Sequence, residues 1–278
     1  GGILSPFLFL IYVDDVIIAL ESSRIGCVIK GFYVGVIMYA DDIVLLSPSV
    51  SDLQFMLHLC YKMLEDIDMC INVKKTMCTR IGSRFKNTCS ELVVCGQKLI
   101  WVNCVRYLGI YIESGRYFKL DLALAKRKFF VCCNSIFSKV NSGRADIVLP
   151  LISSYCVPIL LYGLEAVNLT KTEITRLEHP FTMIFHKIFG TYSNIIISQC
   201  QYFTGWLPLC HLCKLRQLCF LKRIIDLSNE NAVCKFLCEA IVYRNFESIA
   251  AKYSVTTNDN VFTIKDKIWS VFYSTVQL

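Results

Sequence analysis

Several motifs that mark common enzyme classes are missing from this chain. It has no G-x-x-x-x-G-K-[ST] loop for nucleotide phosphates and no G-x-S-x-G turn for a nucleophilic serine. No segment is repeated along it. P-loop NTPases, hydrolases of that type and repeat architectures are therefore not supported.

The chain also lacks the marks of a secreted protein. No basic segment leads into a short apolar run with a small-residue cleavage site, so no signal peptide is visible, and the sequence begins with Gly-Gly and not with Met. Sixteen cysteines are scattered through apolar periodic segments, unlike the dense spacing of a small disulfide scaffold. We expect a fragment of a longer intracellular protein, located in the nucleus or cytoplasm, with reduced cysteines.

With 278 residues, 55% of them hydrophobic, the chain is long enough to bury a core. Residues 147–164 contain no charged side chain, which is near the minimum length of a membrane-spanning helix. However, this stretch contains Pro150 and Pro158 as well as Ser153 and Ser154. A buried helical hairpin is the favoured interpretation, and we expect no association with a membrane.

Charge is unevenly distributed along the chain. Residues 1–70 contain 3 Lys and Arg against 9 Asp and Glu, whereas residues 71–150 contain 14 against 4. A basic block beside an acidic one suits a protein that binds a polyanion with one part and a metal ion with the other. A solvated basic surface would give the same composition.

Two similar tetrapeptides, YVDD at residues 12–15 and YADD at residues 39–42, each contain adjacent carboxylates. The first follows Ser5 and Pro6, a predicted helix start with Ser5 as the hydroxyl cap and proline at the first helical position, and a long apolar run. Asp14 and Asp15 would then point about 100° apart on a helix, which makes it difficult for them to share one ion. We expect them to be structural or exposed to solvent.

The second tetrapeptide lies between two short runs rich in β-branched and aromatic residues, which predict strands. Asp41 and Asp42 would lie at the tip of a tight hairpin, where hard oxygen ligands can meet Mg²⁺ and substrate phosphates. Turns also favour Asp for local hydrogen bonding, so this motif is weak by itself.

The segments after YADD strengthen its interpretation. Ser51 to Gln54 has the form of a capping box, and apolar residues at helical spacing follow as far as Ile67. A turn-rich basic stretch comes next, and Val105 to Ile112 is predicted as a strand.

This order of elements resembles the second half of the palm of a reverse transcriptase, most closely that of non-LTR (LINE-type) retrotransposons. Four motifs of that family occur in the expected order. They are Gly1 with Leu4-Ser5-Pro6 at the template side, Tyr39 to Asp42 at the metal, Asn72 with Lys75 and Thr76, and Tyr107, Leu108 and Gly109 at the primer grip.

The resemblance assigns roles to these positions. It implies Mg²⁺ (or Mn²⁺) as cofactor, Asp41 as its main ligand and Asp42 as a secondary one. Lys75 would approach the leaving pyrophosphate as a charge stabiliser or proton donor, although it could also be a solvated surface lysine. Tyr107 to Gly109 would approach the primer terminus.

The family's other metal-binding aspartate lies on a strand upstream of the template motif, and its fingers also lie upstream. By that comparison the N-terminal palm and fingers are missing here, and we expect the fragment to be inactive alone. Two-metal catalysis needs ligands from separate strands to place ions about 4 Å apart.

Basic and aromatic residues follow the palm motifs, including Lys126, Arg127 and Lys128. By the resemblance they would form a helical thumb that follows the phosphates of a template–primer duplex. Phe129 and Phe130 are adjacent, so they would point in different directions on a helix.

Two further patterns have weaker interpretations. Cys210, Cys213, Cys234 and Cys238 have a spacing that could bind zinc, but the first two lie in a predicted helix, which is a poor zinc knuckle. His179 and His186 are interpreted as structural, with Pro180 as a helix start.

The prediction is an α+β fold in three parts: a partial palm over residues 1–112, a helical thumb and connection over 113–195, and a helical C-terminal region over 196–278. The predicted function is RNA-directed DNA polymerase by descent, with RNA template, DNA primer and deoxynucleoside triphosphates as partners. A non-enzymatic nucleic-acid-binding remnant of a retroelement is the alternative.

Overall fold

A computed structural model gives the structure of residues 4–140 and 143–276 and divides the chain into two units, Gly1–Leu120 and Asp121–Leu278. Unit 1 mixes helices with small sheets, whereas the described part of unit 2 is helical. This mixture agrees with the predicted α+β class. The finer predicted divisions, after residues 112 and 195, remain predictions.

The described residues of unit 1 form two helices and eleven short strands. The helices are α1 (Ser5–Ser22) and α2 (Val50–Glu65). The strands are β1 (Val28–Ile29), β2 (Phe32–Tyr33), β3 (Val36–Tyr39), β4 (Asp42–Leu45), β5 (Met77–Cys78), β6 (Val93–Val94), β7 (Gln97–Lys98), β8 (Ile100–Trp101), β9 (Cys104–Tyr107), β10 (Ile110–Glu113) and β11 (Lys119–Leu120).

Most of these strands form antiparallel hairpins between chain neighbours. The pairs β1–β2, β3–β4 and β6–β7 are two-stranded, and β9, β10 and β11 form a three-stranded sheet. Only β5 and β8, among the described strands, form a parallel pair. Short turns therefore determine most of the strand pairing in unit 1.

The helix α2 begins directly after Ser49, whose side chain caps it. Ser49 is in an extended conformation and its hydroxyl accepts a hydrogen bond from the Asp52 backbone at 3.0 Å. The predicted capping box at Ser51 is therefore wrong by two residues. Gln54 instead pairs with the backbone of Val93, both donating to and accepting from it at 2.8 Å.

Unit 2 contains nine α-helices in its described residues. They are α3 (Ala123–Lys139), α4 (Ala145–Leu151), α5 (Val157–Leu161), α6 (Lys171–Phe189), α7 (Asn194–Thr204), α8 (Leu209–Asp226), α9 (Ala232–Leu237), α10 (Tyr243–Ala250) and α11 (Val261–Tyr273). The helix α8 packs against α6, α9, α10 and α11. Its buried Leu218 joins Phe246, Ile268 and Phe272 in the main core of this unit.

The uncharged segment at residues 147–164 is buried on one side only, and it is not the predicted helical hairpin. The helices α4 and α5 are joined by a π-helical turn, Ile152–Cys156, into one helical run. Pro158 is the second residue of α5, two positions after this turn ends, and a π-turn is one way in which a helix accommodates a residue without a backbone N–H. Within residues 4–140 and 143–276, no helix has the length and apolar character needed to cross a membrane.

Candidate active site

The β3–β4 hairpin presents two different faces. Its register pairs Val36 with Leu45 and Met38 with Ile43, and these four side chains pack toward a buried cluster of α1 and α2 residues. The alternate pairs, Ile37 with Val44 and Tyr39 with Asp42, therefore lie on the opposite face. Asp42 thus lies on the face away from this core.

The buried cluster beneath the hairpin is formed by helical residues at i, i+3 and i+4 spacing. Val13, Val16 and Leu20 of α1 meet Met56 and Cys60 of α2, and each is at most 2% exposed. Because the inward side chains of the hairpin pack on both helices, this buried cluster restrains the position of the turn at its end.

The turn that joins β3 to β4 consists of two residues, Ala40 and Asp41. Ala40 has a φ of +51°, the left-handed region in which a residue with a Cβ is strained. Both aspartates are exposed to solvent. Two adjacent carboxylates therefore lie at the accessible end of a short, well-packed hairpin, as the sequence predicts.

A glycine at the base of this hairpin allows a close contact. A Cβ on Gly35 would lie 2.4 Å from the ring and hydroxyl atoms of Tyr33. The Tyr33 hydroxyl donates a hydrogen bond to the Ile25 carbonyl at 2.9 Å. The Tyr33 ring therefore packs against the backbone at the start of the hairpin. Only glycine at position 35 leaves room for that ring.

The Asn72–Lys75–Thr76 motif forms a local turn before β5. The side-chain oxygen of Asn72 accepts a hydrogen bond from the Lys75 backbone at 3.2 Å, and the Thr76 hydroxyl donates to the Asn72 carbonyl at 2.9 Å. These two hydrogen bonds stabilise the turn, so Asn72 and Thr76 have a structural role in this motif. Lys75 is exposed, and no carboxylate among the described residues lies within 4.0 Å of it.

The segment Val105 to Ile112 is a hairpin and not the single strand that was predicted. Leu108 and Gly109 form its turn, with φ values of +45° and +84°. Two consecutive positive φ values are the condition for a tight I′ turn, and glycine at the second position meets it without strain. Gly109 therefore permits the turn. The β-branched and aromatic residues around it predicted one continuous strand and gave no sign of a turn.

Tyr107 is the last residue of β9. Its hydroxyl oxygen is buried, and within the described residues it has no hydrogen-bond partner. Burial, together with the negative charge of Asp42, raises the pKa of Tyr107. The charge of a predicted metal ligand therefore acts on the predicted primer-grip tyrosine.

The first tetrapeptide lies within α1, as predicted. Asp14 and Asp15 are exposed, while Val13 and Val16 on either side are buried. The helix begins at Ser5, which places the capping position on Leu4 and corrects the predicted Ser5 cap. Gly1 lies outside the described residues, and Ser5 and Pro6 are described only as backbone.

The predicted thumb residues lie on α3 of unit 2. Arg127 and Lys128 are exposed and Lys126 is half-buried. No described carboxylate lies within 4.0 Å of any of the three. Phe129 is fully buried whereas Phe130 is 38% exposed, as expected for adjacent helical positions.

The cysteines with zinc-like spacing belong to several helical segments. Cys210 and Cys213 lie in α8, where burial raises their pKa values to about 11 and about 12. Both thiols are therefore protonated near neutral pH, which disfavours metal binding. Pro180 also differs from its prediction, since it lies inside α6 and not at a helix start.

One protein family matches the part of the chain that contains the hairpin. Residues 1–112 match the family model of reverse transcriptase (RNA-dependent DNA polymerase). Searches among curated proteins and solved structures gave no match to the chain. The matched residues, called the reverse transcriptase region below, contain both tetrapeptides, the Asn72 turn and the Tyr107 hairpin.

The donors in the reverse transcriptase region fit a hard divalent cation. Asp41 and Asp42 provide exposed carboxylate oxygens, and Mg²⁺ in such enzymes is typically bound by one or two carboxylates together with water and substrate phosphates. No group of three His, Cys, Asp or Glu side chains suited to a metal occurs in residues 4–140 and 143–276. The hairpin can therefore supply part of a coordination sphere.

The sequence analysis did not predict that apolar side chains on the outer face of the hairpin are exposed to solvent. Ile37 is 47% and Tyr39 is 64% exposed, and both lie on the same face as Asp42. The alternation of inward and outward residues along VIMY would have separated Ile37 from the core. These side chains form an apolar platform next to the carboxylates.

Proposed function

We propose that this chain corresponds to the second half of the palm and the thumb of a reverse transcriptase from a non-LTR (LINE-type) retrotransposon. Its substrates would be an RNA template, a DNA primer and deoxynucleoside triphosphates, and it would act in the nucleus or cytoplasm. The observation that supports this most is the position of Asp41 and Asp42, at the open end of a packed hairpin inside the reverse transcriptase region.

Each part of the site has a role in this proposal. Asp41 and Asp42 would bind Mg²⁺, which lowers the pKa of the primer 3′-hydroxyl and neutralises the triphosphate. The exposed ring of Tyr39 and the turn at Leu108 and Gly109 would contact the primer end. Lys75 would stabilise the leaving pyrophosphate by its charge.

The basic helix α3 would contact the duplex backbone. Arg127 and Lys128 are exposed and have no carboxylate neighbour among the described residues, so their charge is available to phosphates. Such contacts depend on salt concentration and tolerate any sequence. They would add affinity for the template–primer duplex but not chemistry.

We expect the 278 residues to extend a primer weakly or not at all by themselves. The two carboxylates come from one hairpin, and no third metal ligand accompanies them in the described part of the chain. A two-metal site needs ligands from separate strands to place two ions about 4 Å apart.

The proposal is tested by measuring Mn²⁺ binding, RNA–DNA duplex binding and primer extension on the same protein. Saturable Mn²⁺ binding that is lost in Asp41→Asn, with duplex binding unchanged, is the expected result. Extension that disappears in the same variant would establish polymerase activity in the chain alone. Mn²⁺ binding that ignores both Asp41→Asn and Asp42→Asn would contradict the proposal.

A non-enzymatic remnant that only binds nucleic acid is the second candidate. The unpaired cations on α3 favour it, because duplex binding by that surface requires no metal. It predicts salt-sensitive duplex binding together with an absence of saturable Mn²⁺ binding. Charge removal at Arg127 and Lys128 would weaken duplex binding under either proposal.

A further inference from the structure

A histidine lies in the core of unit 2. His211, in the first turn of α8, is 9% exposed, and its Nδ1 atom lies 3.2 Å from the hydroxyl of Tyr253. Tyr253 is 2% exposed and belongs to the 3₁₀ turn that follows α10, Ala251–Tyr253. This hydrogen bond therefore joins two elements across 42 positions of the chain.

The surroundings of the imidazole are mostly apolar. The ring centroids of Tyr253 and Phe272 lie 5.7 Å and 5.9 Å from that of His211. Phe272 belongs to α11 and is itself buried, and α10 contributes Phe246 and Ala250 to the same core. A buried environment of this kind favours a neutral imidazole over a charged one.

The charges around His211 do not compensate for a positive imidazole. No carboxylate among the described residues lies within 4.0 Å of it, and Glu165, on a turn that packs against α8, is paired with Arg216 at 3.5 Å. The ammonium group of Lys252 lies 5.4 Å from the centre of the Tyr253 ring. Burial, and then this positive charge, lower the pKa of His211. Burial also raises the pKa of the Tyr253 phenol to about 12, so it stays protonated.

Other titratable groups lie on α8 itself and on α6. Burial raises the pKa of the Cys210 thiol to about 11, so it is neutral near pH 7. Burial lowers the pKa of Lys214, whose ammonium group donates a hydrogen bond to Gln217 at 2.9 Å. Glu178 of α6 interacts with Cys210, and burial raises the pKa of its carboxyl group. The helix α9 follows the other end of α8 in the chain.

We propose that His211 and Tyr253 form an acid-sensitive latch, in which a neutral imidazole holds Tyr253 against α8 and uptake of one proton by His211 opens that contact. A neutral imidazole can accept the Tyr253 O–H at Nδ1, whereas an imidazolium has no lone pair with which to do so. This inference does not depend on the proposed function, because both residues lie in unit 2, outside the reverse transcriptase region.

The direction of the pH dependence follows from linkage. Because the pKa of His211 is lowered in the folded chain, the unfolded chain binds more protons between that pKa and the ordinary value of 6.5. The stability that the latch contributes is therefore full above pH 6.5 and is lost as the pH falls toward the lowered pKa. Glu178 acts in the opposite direction, because a carboxyl pKa raised by folding gives stability that increases as the pH falls.

The test is urea unfolding of the whole chain between about pH 7.5 and pH 5.5, followed by tryptophan fluorescence, to which Trp206 and Trp269 of unit 2 contribute. The unfolding equilibrium constant of the wild type should rise as the pH falls, by at most about tenfold per pH unit, the limit for one proton. In His211→Gln this rise should disappear or reverse, and in Glu178→Gln it should become steeper. His179→Gln is the matched control, since His179 is exposed on α6, and this variant should keep the full rise.

Two further variants test the latch even if His211→Gln does not fold. Lys252 is exposed, so Lys252→Gln removes a charge without disturbing the core, and it should reduce the rise. Tyr253→Phe removes the contact itself and should lower the urea midpoint at pH 7.5 toward the wild-type value at pH 5.5. The latch is overturned by a rise that persists in His211→Gln, or by one that is missing from both the wild type and Glu178→Gln. A full rise in Lys252→Gln, or an unchanged midpoint in Tyr253→Phe, would also overturn it.

Discussion

The two tetrapeptides YVDD and YADD differ by one residue, yet they belong to different structures. Tyr12 and Tyr39 are equally exposed, at 64% each, and all four aspartates are exposed. Exposure and composition therefore do not distinguish them. The backbone does, because the first lies inside a helix and the second at the end of a hairpin.

The helix and the hairpin place their carboxylates differently. Adjacent residues of α1 point about 100° apart, so Asp14 and Asp15 diverge into solvent. In the hairpin, Asp41 occupies the turn and Asp42 the first strand position, so both lie at one end of a sheet. A carboxylate pair at the open end of a sheet is therefore the better candidate for a metal site.

The largest difference between the Asp41–Asp42 pair and the Asp14–Asp15 pair is expected in metal binding. Asp41→Asn should weaken Mn²⁺ binding about tenfold or more, because it removes a direct ligand. Asp14→Asn and Asp15→Asn serve as matched controls with the same loss of charge, and we expect no change in either. The measurement is the electron paramagnetic resonance signal of the free ion during a Mn²⁺ titration.

Equal weakening by all these variants would point to general attraction of cations by an acidic region. Residues 1–70 contain 9 Asp and Glu against 3 Lys and Arg, so this alternative has a physical basis. Raising the ionic strength would distinguish it, since diffuse attraction is screened more than direct coordination.

Truncation of the helix core should have the largest effect on folding. Leu20 is fully buried beneath the hairpin, so Leu20→Ala should lower the free energy of unfolding by about 2–5 kcal/mol. Ile18, two residues earlier, is 52% exposed, and Ile18→Ala should change it by no more than about 0.5 kcal/mol. Urea unfolding monitored by circular dichroism measures both.

This pair of variants tests what the YVDD helix contributes. If it is the support on which the YADD hairpin packs, Leu20→Ala should also weaken Mn²⁺ binding as the hairpin loosens. Similar losses of stability in both variants would mean that Val13, Val16 and Leu20 are not the packed face of α1.

Much of this arrangement could be predicted from periodicity and turn chemistry. The apolar spacing of α1 and α2 and the strand pairs around Ala40 and Asp41 follow from local sequence. The ends of elements were less predictable, because Ser49 and Ser51 are equally plausible caps. The choice between them depends on Gln54, which pairs with Val93, 39 residues away.

The neighbourhood of Tyr107 could not be predicted from sequence. Its hairpin is concealed in a run of β-branched and aromatic residues, in which Leu108 adopts a positive φ that its side chain does not favour. The charge that raises the pKa of Tyr107 belongs to Asp42, 65 residues earlier in the chain. No local pattern encodes an interaction over that separation.

A smaller effect is expected at the base of the hairpin. In Gly35→Ala the new Cβ would displace the Tyr33 ring and break its hydrogen bond to Ile25, which should cost about 1–3 kcal/mol. Tyr33→Phe is the informative control, since it removes the hydrogen bond and keeps the ring. A Gly35→Ala variant as stable as wild type would show that the ring moves freely.

The smallest effect is expected at the turn, where one substitution should have opposite signs in the two tetrapeptide elements. Ala40 has a φ of +51°, so Ala40→Gly should relieve strain and raise the free energy of unfolding by about 0.5–1 kcal/mol. Ala19 lies inside α1, where glycine should lower it by about 1 kcal/mol. Thermal and urea unfolding of the two variants measure this difference.

If Ala40→Gly is destabilising, the strain assigned to the turn is absent. If it is stabilising but weakens Mn²⁺ binding, the strained alanine holds Asp41 in the conformation that the metal requires.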